Sequence, residues 1–110
     1  MANTFKLKTK ANVGLTTVGI YTAPASTTTV VIGITLANTI GSGVNVGVGV
    51  TRPTASGENI SILKNVPIPQ GSSLEFMQGN KVVLQTEDTV TVNSDVNNSV
   101  DVALTIMEIT

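Results

Sequence analysis

At 110 residues the chain has the length of one domain with a single core. It is 41% hydrophobic, only 3% aromatic and 12% charged, with a formal net charge of −1 and neither histidine nor cysteine. This composition excludes disulfide frameworks, thiol nucleophiles, the commonest metal ligands and every Ser-His-Asp or Cys-His arrangement, and a mildly acidic chain offers nucleic acid no general basic footprint.

The opening Met1 to Lys10 alternates Phe5 and Leu7 with Lys6, Lys8 and Lys10. It lacks the apolar centre of a secretion signal and reads as a strand or arm over residues 1–12. On this reading Phe5 and Leu7 dock the arm, and the lysines decorate its outer face or guard an edge strand against wrong pairing. Val13 to Tyr21 forms a second, less regular strand that stops before Pro24. Thr28 to Asn38 follows, with Val30, Ile32, Ile34 and Leu36 expected on one face, and a Gly41-Ser42-Gly43 turn leads into Val44 to Val50 as a hairpin. Ile60 to Val66 extends again, Ile60 and Ile62 facing one way and Leu63 the other. Pro67 and Pro69 remove ladder donors and suit a crossing between two sheets. Leu74 to Met77 is a short strand and Val82 to Leu84 a more buried one. Glu87-Asp88 sits in a turn before Val90 and Val92, and Asp95 to Asn98 tips a last hairpin into Val100, Val102, Leu104 and Ile106.

Period-two alternation without helical periodicity argues for an all-β fold. About eight strands are enough for a single-domain antiparallel β-sandwich, jelly-roll or Greek-key like, with a flattened barrel as the second choice. No run approaches the roughly 18 consecutive apolar residues of a membrane-spanning helix.

The sharpest local pattern is Val44-Asn45-Val46-Gly47-Val48-Gly49-Val50. The valines line one strand face, and Asn45, Gly47 and Gly49 leave the other nearly bare. Two glycines weaken a strand by roughly 0.5–1 kcal/mol each, so a compensating contact with another sheet or another subunit is expected. Charge is uneven as well: residues 1–57 carry Lys6, Lys8, Lys10 and Arg52 and no acid, whereas residues 58–110 carry two lysines against seven acids. Such a chain has the means to pair head to tail with a copy of itself.

No catalytic signature emerges. Gly41, Gly43, Gly47 and Gly49 lie in a β alternation and not before a helix, so they make no phosphate cradle. Glu87 with Asp88, or Asp95 with Asp101, are the only carboxylate pairs that invite a calcium or acid-base reading, and both read first as solvated turn acids. With one tyrosine, two phenylalanines and no tryptophan, a sugar platform would fall to Tyr21 or Phe76, and each reads more simply as a core or strand-end residue.

Several stretches resemble small virion proteins of tailed bacteriophages, notably of cyanophage-like genomes: Ile20-Tyr21-Thr22-Ala23-Pro24-Ala25, Leu36-Ala37-Asn38, Leu63 through Leu74 with Pro67 and Pro69, Lys81-Val82-Val83-Leu84 and the close from Ser99 to Thr110. Where many of those relatives have Gly-Asp in the last turn, this chain has Glu87-Asp88, which argues against a left-handed residue there. The resemblance implies a non-enzymatic structural component present in many symmetric copies on capsid, neck or tail, made in the host cytoplasm and residing in the virion. No cofactor, metal, small-molecule substrate, nucleic acid or membrane is expected. The expected partners are copies of the chain, as a trimer or hexamer, and other virion proteins. The assembly interface is expected at Phe5, Leu7, Asn45, Gly47, Gly49, Pro67 and Pro69. A host-surface or glycan-binding module is the alternative.

Overall fold

A computed structural model describes residues 3–76 and 82–110, with the side chain of Phe76 and residues 77–81, including Met77 and Lys81, outside the described set. Nine strands follow in order: β1 (Asn3–Val13), β2 (Val18–Thr22), β3 (Thr28–Asn38), β4 (Val44–Arg52), β5 (Glu58–Ile68), β6 (Ser73–Phe76), β7 (Val82–Leu84), β8 (Thr89–Ser94) and β9 (Val100–Ile109), with one 3-10 turn at Pro53–Ala55. Sheet one has the order β1, β9, β3, then β6 and β7 side by side along β3, and sheet two the order β2, β8, β4, β5. All ladders are antiparallel.

With β6 and β7 counted as one broken strand, first pairs with last, second with next to last, third with sixth and fourth with fifth, which is a jelly roll. The registers make this concrete. The midpoint of the partners Asn3 and Ile109 is Ser56, that of Val18 and Val92 is Ala55, that of Ile34 and Phe76 is Ala55, and that of Val44 and Ile68 is Ser56. The chain is one long hairpin folded about Ala55–Gly57 and then rolled into two layers. The bend is formed by Pro53 at the start of the 3-10 turn and by Ser56 and Gly57, both left-handed at φ 64° and 71°.

Val44, Val46, Val48 and Val50 of β4 and Val100, Val102, Leu104 and Ile106 of β9 point inward and are buried, as their alternation predicts. β3 departs from its predicted phase. A register shift between Val31 and Gly33 flips the alternation, so Thr29 and Val31 face the core before it and Ile34 and Leu36 after it, leaving Val30 and Ile32 outward. In β5 a comparable shift sets Leu63 opposite inward-facing Val48, so Leu63 and Ile62 both pack against the core instead of opposing each other. β1 and β2 also divide the N-terminal segment differently from expectation: β1 runs through Asn12, left-handed at φ 59°, to Val13.

The two expected hairpins at Gly41–Gly43 and Asp95–Asn98 are not hairpins. β3 lies in sheet one and β4 in sheet two, and β8 and β9 likewise belong to opposite sheets. Two strands that each bury one apolar face can satisfy it face to face across a core as well as side by side, and here they stack. The proline segment does make the expected crossing, since Pro67 lies in β5 at the edge of sheet two and the chain passes Pro69 before entering β6 of sheet one.

Candidate assembly surfaces

Six of the seven predicted interface residues divide between the two outer faces of the sandwich, and Pro69 lies in the crossing between the sheets. Phe5 and Leu7 project from the outer face of β1, 69% and 64% exposed. Asn45, Gly47 and Gly49 lie on the outer face of β4, with Pro67 opposite Asn45 on β5. One continuous patch containing all seven does not form. The lysines of β1 are reversed relative to expectation: Lys6 and Lys8 lie opposite the inward residues Ile106 and Leu104, so the stripe turns toward the interior side while Phe5 and Leu7 face solvent. The reason is register, because the strand docks by its backbone ladder to β9 and the side chains follow the pleat. Inward-pointing charge on an edge strand is also a known guard against edge-to-edge pairing.

Lys6 Nζ reaches Glu108 Oε1 at 2.8 Å, and the Tyr21 hydroxyl donates to Glu108 Oε2 at 2.6 Å and lies 2.7 Å from Thr29 Oγ1. The Lys8 ammonium sits 6.0 Å from the Tyr21 ring centre. Burial, reinforced by the hydrogen bond to Glu108, pushes the Tyr21 phenol up to about 12. The bonds from Lys6 and Tyr21 hold the Glu108 carboxyl below its ordinary value of 4.5. Tyr21 is buried and committed on both sides of its oxygen, so it is no sugar platform. Phe76, the other candidate platform, has its side chain outside the described residues.

Asp88, expected as a solvated turn acid, is 1% exposed. It accepts from Arg52 Nε at 3.2 and 3.3 Å and from the Gln85 N–H at 2.9 Å. Its neighbour Glu87 is left-handed at φ 71°, so the turn keeps the conformation that glycine favours although glycine is absent. Asp95 accepts from the Asn45 N–H at 2.9 Å and Asp101 from the Asn12 N–H at 3.0 Å, each holding a backbone amide near one end of the sandwich, while Glu87 sits at the other. Among the described residues no three acids gather as a metal site would require. Among the described residues the ion pairs Lys6 with Glu108 and Arg52 with Asp88 join the basic half of the chain to the acidic half, as folding about Ser56 dictates.

Above Gly47 and Gly49 the outer face of sheet two forms an open trough of about 440 Å³, walled by Asn59, Ser61, Asn65, Thr91 and Asn93 among others. A Cβ on Gly49 would lie 2.7 Å from the Ile60 carbonyl oxygen and 3.3 Å from Thr91 Oγ1, so Gly49 is required by its own neighbour strand. At Gly47 the near atom is Asn93 Oδ1 at 2.5 Å, the tip of a side chain that has room to turn. The residue that sequence reasoning missed is Asn38. It is buried, donates to Ser42 O at 2.8 Å and Ile68 O at 3.0 Å, and accepts from the Ile40 N–H at 3.0 Å, tying together two crossings between the sheets.

No protein-family model matches the chain, and no curated protein matches it by sequence. Among solved structures it is similar to a chain of the disulfide-linked pili that form Bacillus endospore appendages, at 16% identity and a TM-score of 0.59, over 99% of this chain and 87% of that one. It is also similar to a chain in the structure of infectious bursal disease virus, Gx strain, at 11% identity and a TM-score of 0.50, over 94% of this chain and 33% of that one, so it spans about a third of the viral chain. Both are likenesses of fold.

Buried acids and the buried phenol are all spent on holding strands together, and the buried side-chain polar atoms of the described residues are all hydrogen-bonded. What remains outward is an apolar sheet face on one side and a polar trough on the other. No helix of the described residues is long and apolar enough to cross a membrane.

Proposed function

We propose that this chain is a non-enzymatic structural subunit that assembles in many copies on a virus particle, as a capsid decoration, neck or collar, or tail component. The observation that carries the reading is the whole-chain fit of the jelly roll to a pilus subunit, at 99% and 87% coverage, where most of each chain is accounted for by the shared fold. The resemblance to small virion proteins of tailed phages and the similarity to a viral chain point the same way. The 110 residues contain no cysteine, so self-association here is noncovalent, in contrast to the disulfide-linked pili. Phe5 and Leu7 on one side, Asn45, Gly47, Gly49 and Pro67 on the other, and Pro69 at the crossing between them, are the surfaces offered to neighbours. Burial at about 25 cal/mol per Å² over several hundred Å² per neighbour would hold a ring of such subunits. The test is the mass of the purified protein by light scattering at low and high salt. A trimer or hexamer is expected, and a monomer at every concentration that also fails to bind purified particles would overturn the reading.

The trough on sheet two favours a second reading, a host-surface or glycan-binding module. Asn59, Asn65, Asn93, Ser61 and Thr91 present amides and hydroxyls to a ligand rich in hydroxyl groups along this open trough. Screening against a glycan array tests it: saturable binding lost in Asn93→Ala favours this reading, and no binding disposes of it.

A further inference from the structure

Along β1 the partners on β9 follow one register from Asn3 opposite Ile109 to Lys10 opposite Val102, and another at Val13 opposite Val100. Between those points two residues, Ala11 and Asn12, face the single Asp101, which makes a β-bulge. Asn12 is left-handed at φ 59°, and its N–H donates to Asp101 Oδ1 at 3.0 Å. Beyond the bulge Val13 is buried and its carbonyl accepts from the Ser99 N–H at 3.0 Å, so that end of the strand is anchored. Carried back from Val13 without the bulge, the register would set Ala11 opposite Val102, Thr9 opposite Leu104, Leu7 opposite Ile106 and Phe5 opposite Glu108. A slip of one residue turns every side chain to the other face. The straight register therefore points Phe5 and Leu7 inward and Lys6, Lys8 and Lys10 outward, the reverse of the bulged one. We propose that β1 exchanges between these two registers, the bulge at Ala11 and Asn12 forming in one and vanishing in the other, so that Phe5 and Leu7 are displayed or tucked in. The two registers stand apart from the assembly reading, and only their effect on the surface offered to neighbours rests on it.

The two forms are closely matched. The bulged one gains Lys6 on Glu108 at 2.8 Å and the Lys8 ammonium 6.0 Å from the Tyr21 ring centre. Against these stand a left-handed residue, which asparagine tolerates better than most, and two large apolar side chains left in solvent. The Lys6 side chain is 42% exposed, and an ion pair open to water on one side holds weakly. Of the eleven residues of β1 only Val13 is buried, so almost no packing pins the strand beyond its ladder. Register is loosely specified in such a strand, because the ladder re-forms after a slip. In the straight form Leu7 takes the place of the Lys6 stem opposite Ile106, and Glu108 keeps the Tyr21 hydroxyl but loses its cation. A neighbour that covers Phe5 and Leu7 binds the bulged form alone and draws the population toward it.

The chain has no cysteine, so disulfide trapping in a glutathione buffer reads the register directly. Ala103, on the outer face of β9, lies opposite Thr9 in the bulged register and would lie opposite Lys10 in the straight one. In dilute protein Thr9→Cys with Ala103→Cys is expected to form the major disulfide, and Lys10→Cys with Ala103→Cys a minor one. Asn12→Val puts a β-branched residue where a left-handed one is needed, and should raise the second disulfide at least threefold. Glu108→Gln, which takes away the anion that Lys6 pairs with, should raise it as well. Deletion of Asn12 removes the extra residue and fixes the lysines inward, so it should abolish the second disulfide and keep the first. A Lys10→Cys with Ala103→Cys disulfide that forms neither in the parent chain nor with Asn12→Val, or one that survives deletion of Asn12, overturns the two-register strand. Either result leaves the assembly reading standing, since that is decided by the mass of the unmodified protein and its binding to particles.

Discussion

The two ends of the sandwich are closed by different chemistry. At one end, where the chain crosses between sheets at Asn38–Val44 and Ile68–Ser73, the crossings are tied by neutral groups, the Asn38 amide on four backbone atoms and Ser94 Oγ 2.6 Å from Ser99 Oγ, with Asp95 and Asp101 each accepting from one backbone N–H beside them. At the other end it rests on Lys6, Tyr21, Glu108, Arg52 and Asp88. An amide offers donors and an acceptor at once and never titrates, so it suits a place where several backbone groups must be satisfied together. The ionic end gains stronger individual bonds and becomes dependent on pH and salt. The jelly roll thus ties its crossings at one end through an amide that does not titrate and closes the other through ion pairs and a phenol that do.

The largest effect should come from Asn38→Ala, which strands carbonyls of two crossings and should cost about 2–3 kcal/mol in urea unfolding. That loss should be equal near pH 7 and near pH 4; a loss that changes with pH would break the distinction between the ends. Glu108→Gln should cost about 1.5 kcal/mol near neutrality. Because the folded carboxyl titrates below the ordinary 4.5, its contribution is full above that value and fades as pH falls through the lowered folded value, so the wild type and the variant should converge in acid. Tyr21→Phe should cost about 1 kcal/mol. Tyr21 is the chain's one tyrosine, so phenolate absorbance reads it alone and should titrate near 12 in the folded protein. The unfolded state ionises near 10, so wild-type stability should decline from there upward, and the variant should lack that decline. Lys6→Met should cost under about 0.5 kcal/mol, since the lysine is partly exposed, and 1 M salt should erase the difference.

The sequence carries the face of a strand more legibly than its partner. Val44 to Val50 and Val100 to Ile106 reveal which side is buried because alternation is a property of the strand itself. The phase of β3 changes at a register shift beside Gly33, an isolated strand glycine of the kind that marks a bulge and that alternation alone does not weigh. Pairing was misread at Gly41–Gly43 and Asp95–Asn98 because a short turn between alternating strands serves an adjacent hairpin and a step to the facing sheet equally well. The candidate surface was legible residue by residue and not as a whole. Phe5 and Leu7 are exposed, whereas the space over Gly47 and Gly49 is taken by Asn93 and by the Ile60 carbonyl of the neighbouring strands, and the separation of the two groups onto opposite faces is a consequence of topology. Asp88 is misread because nothing near it in sequence names Arg52, its partner across the fold; Tyr21 is buried as a core residue should be, but nothing near it names Glu108, the partner of its hydroxyl.

All seven ladders of the described residues join a strand before Ser56 to a strand after it; β1 to β4 never pair among themselves, nor do β5 to β9. Neither half is therefore a folding unit, and each is a complete template for the other. Two chains that exchanged halves would form the same seven ladders and open only the bend at Pro53–Gly57. The stiffness of that short bend, through Pro53 and the left-handed Ser56 and Gly57, is what stands between a closed subunit and a strand-exchanged pair.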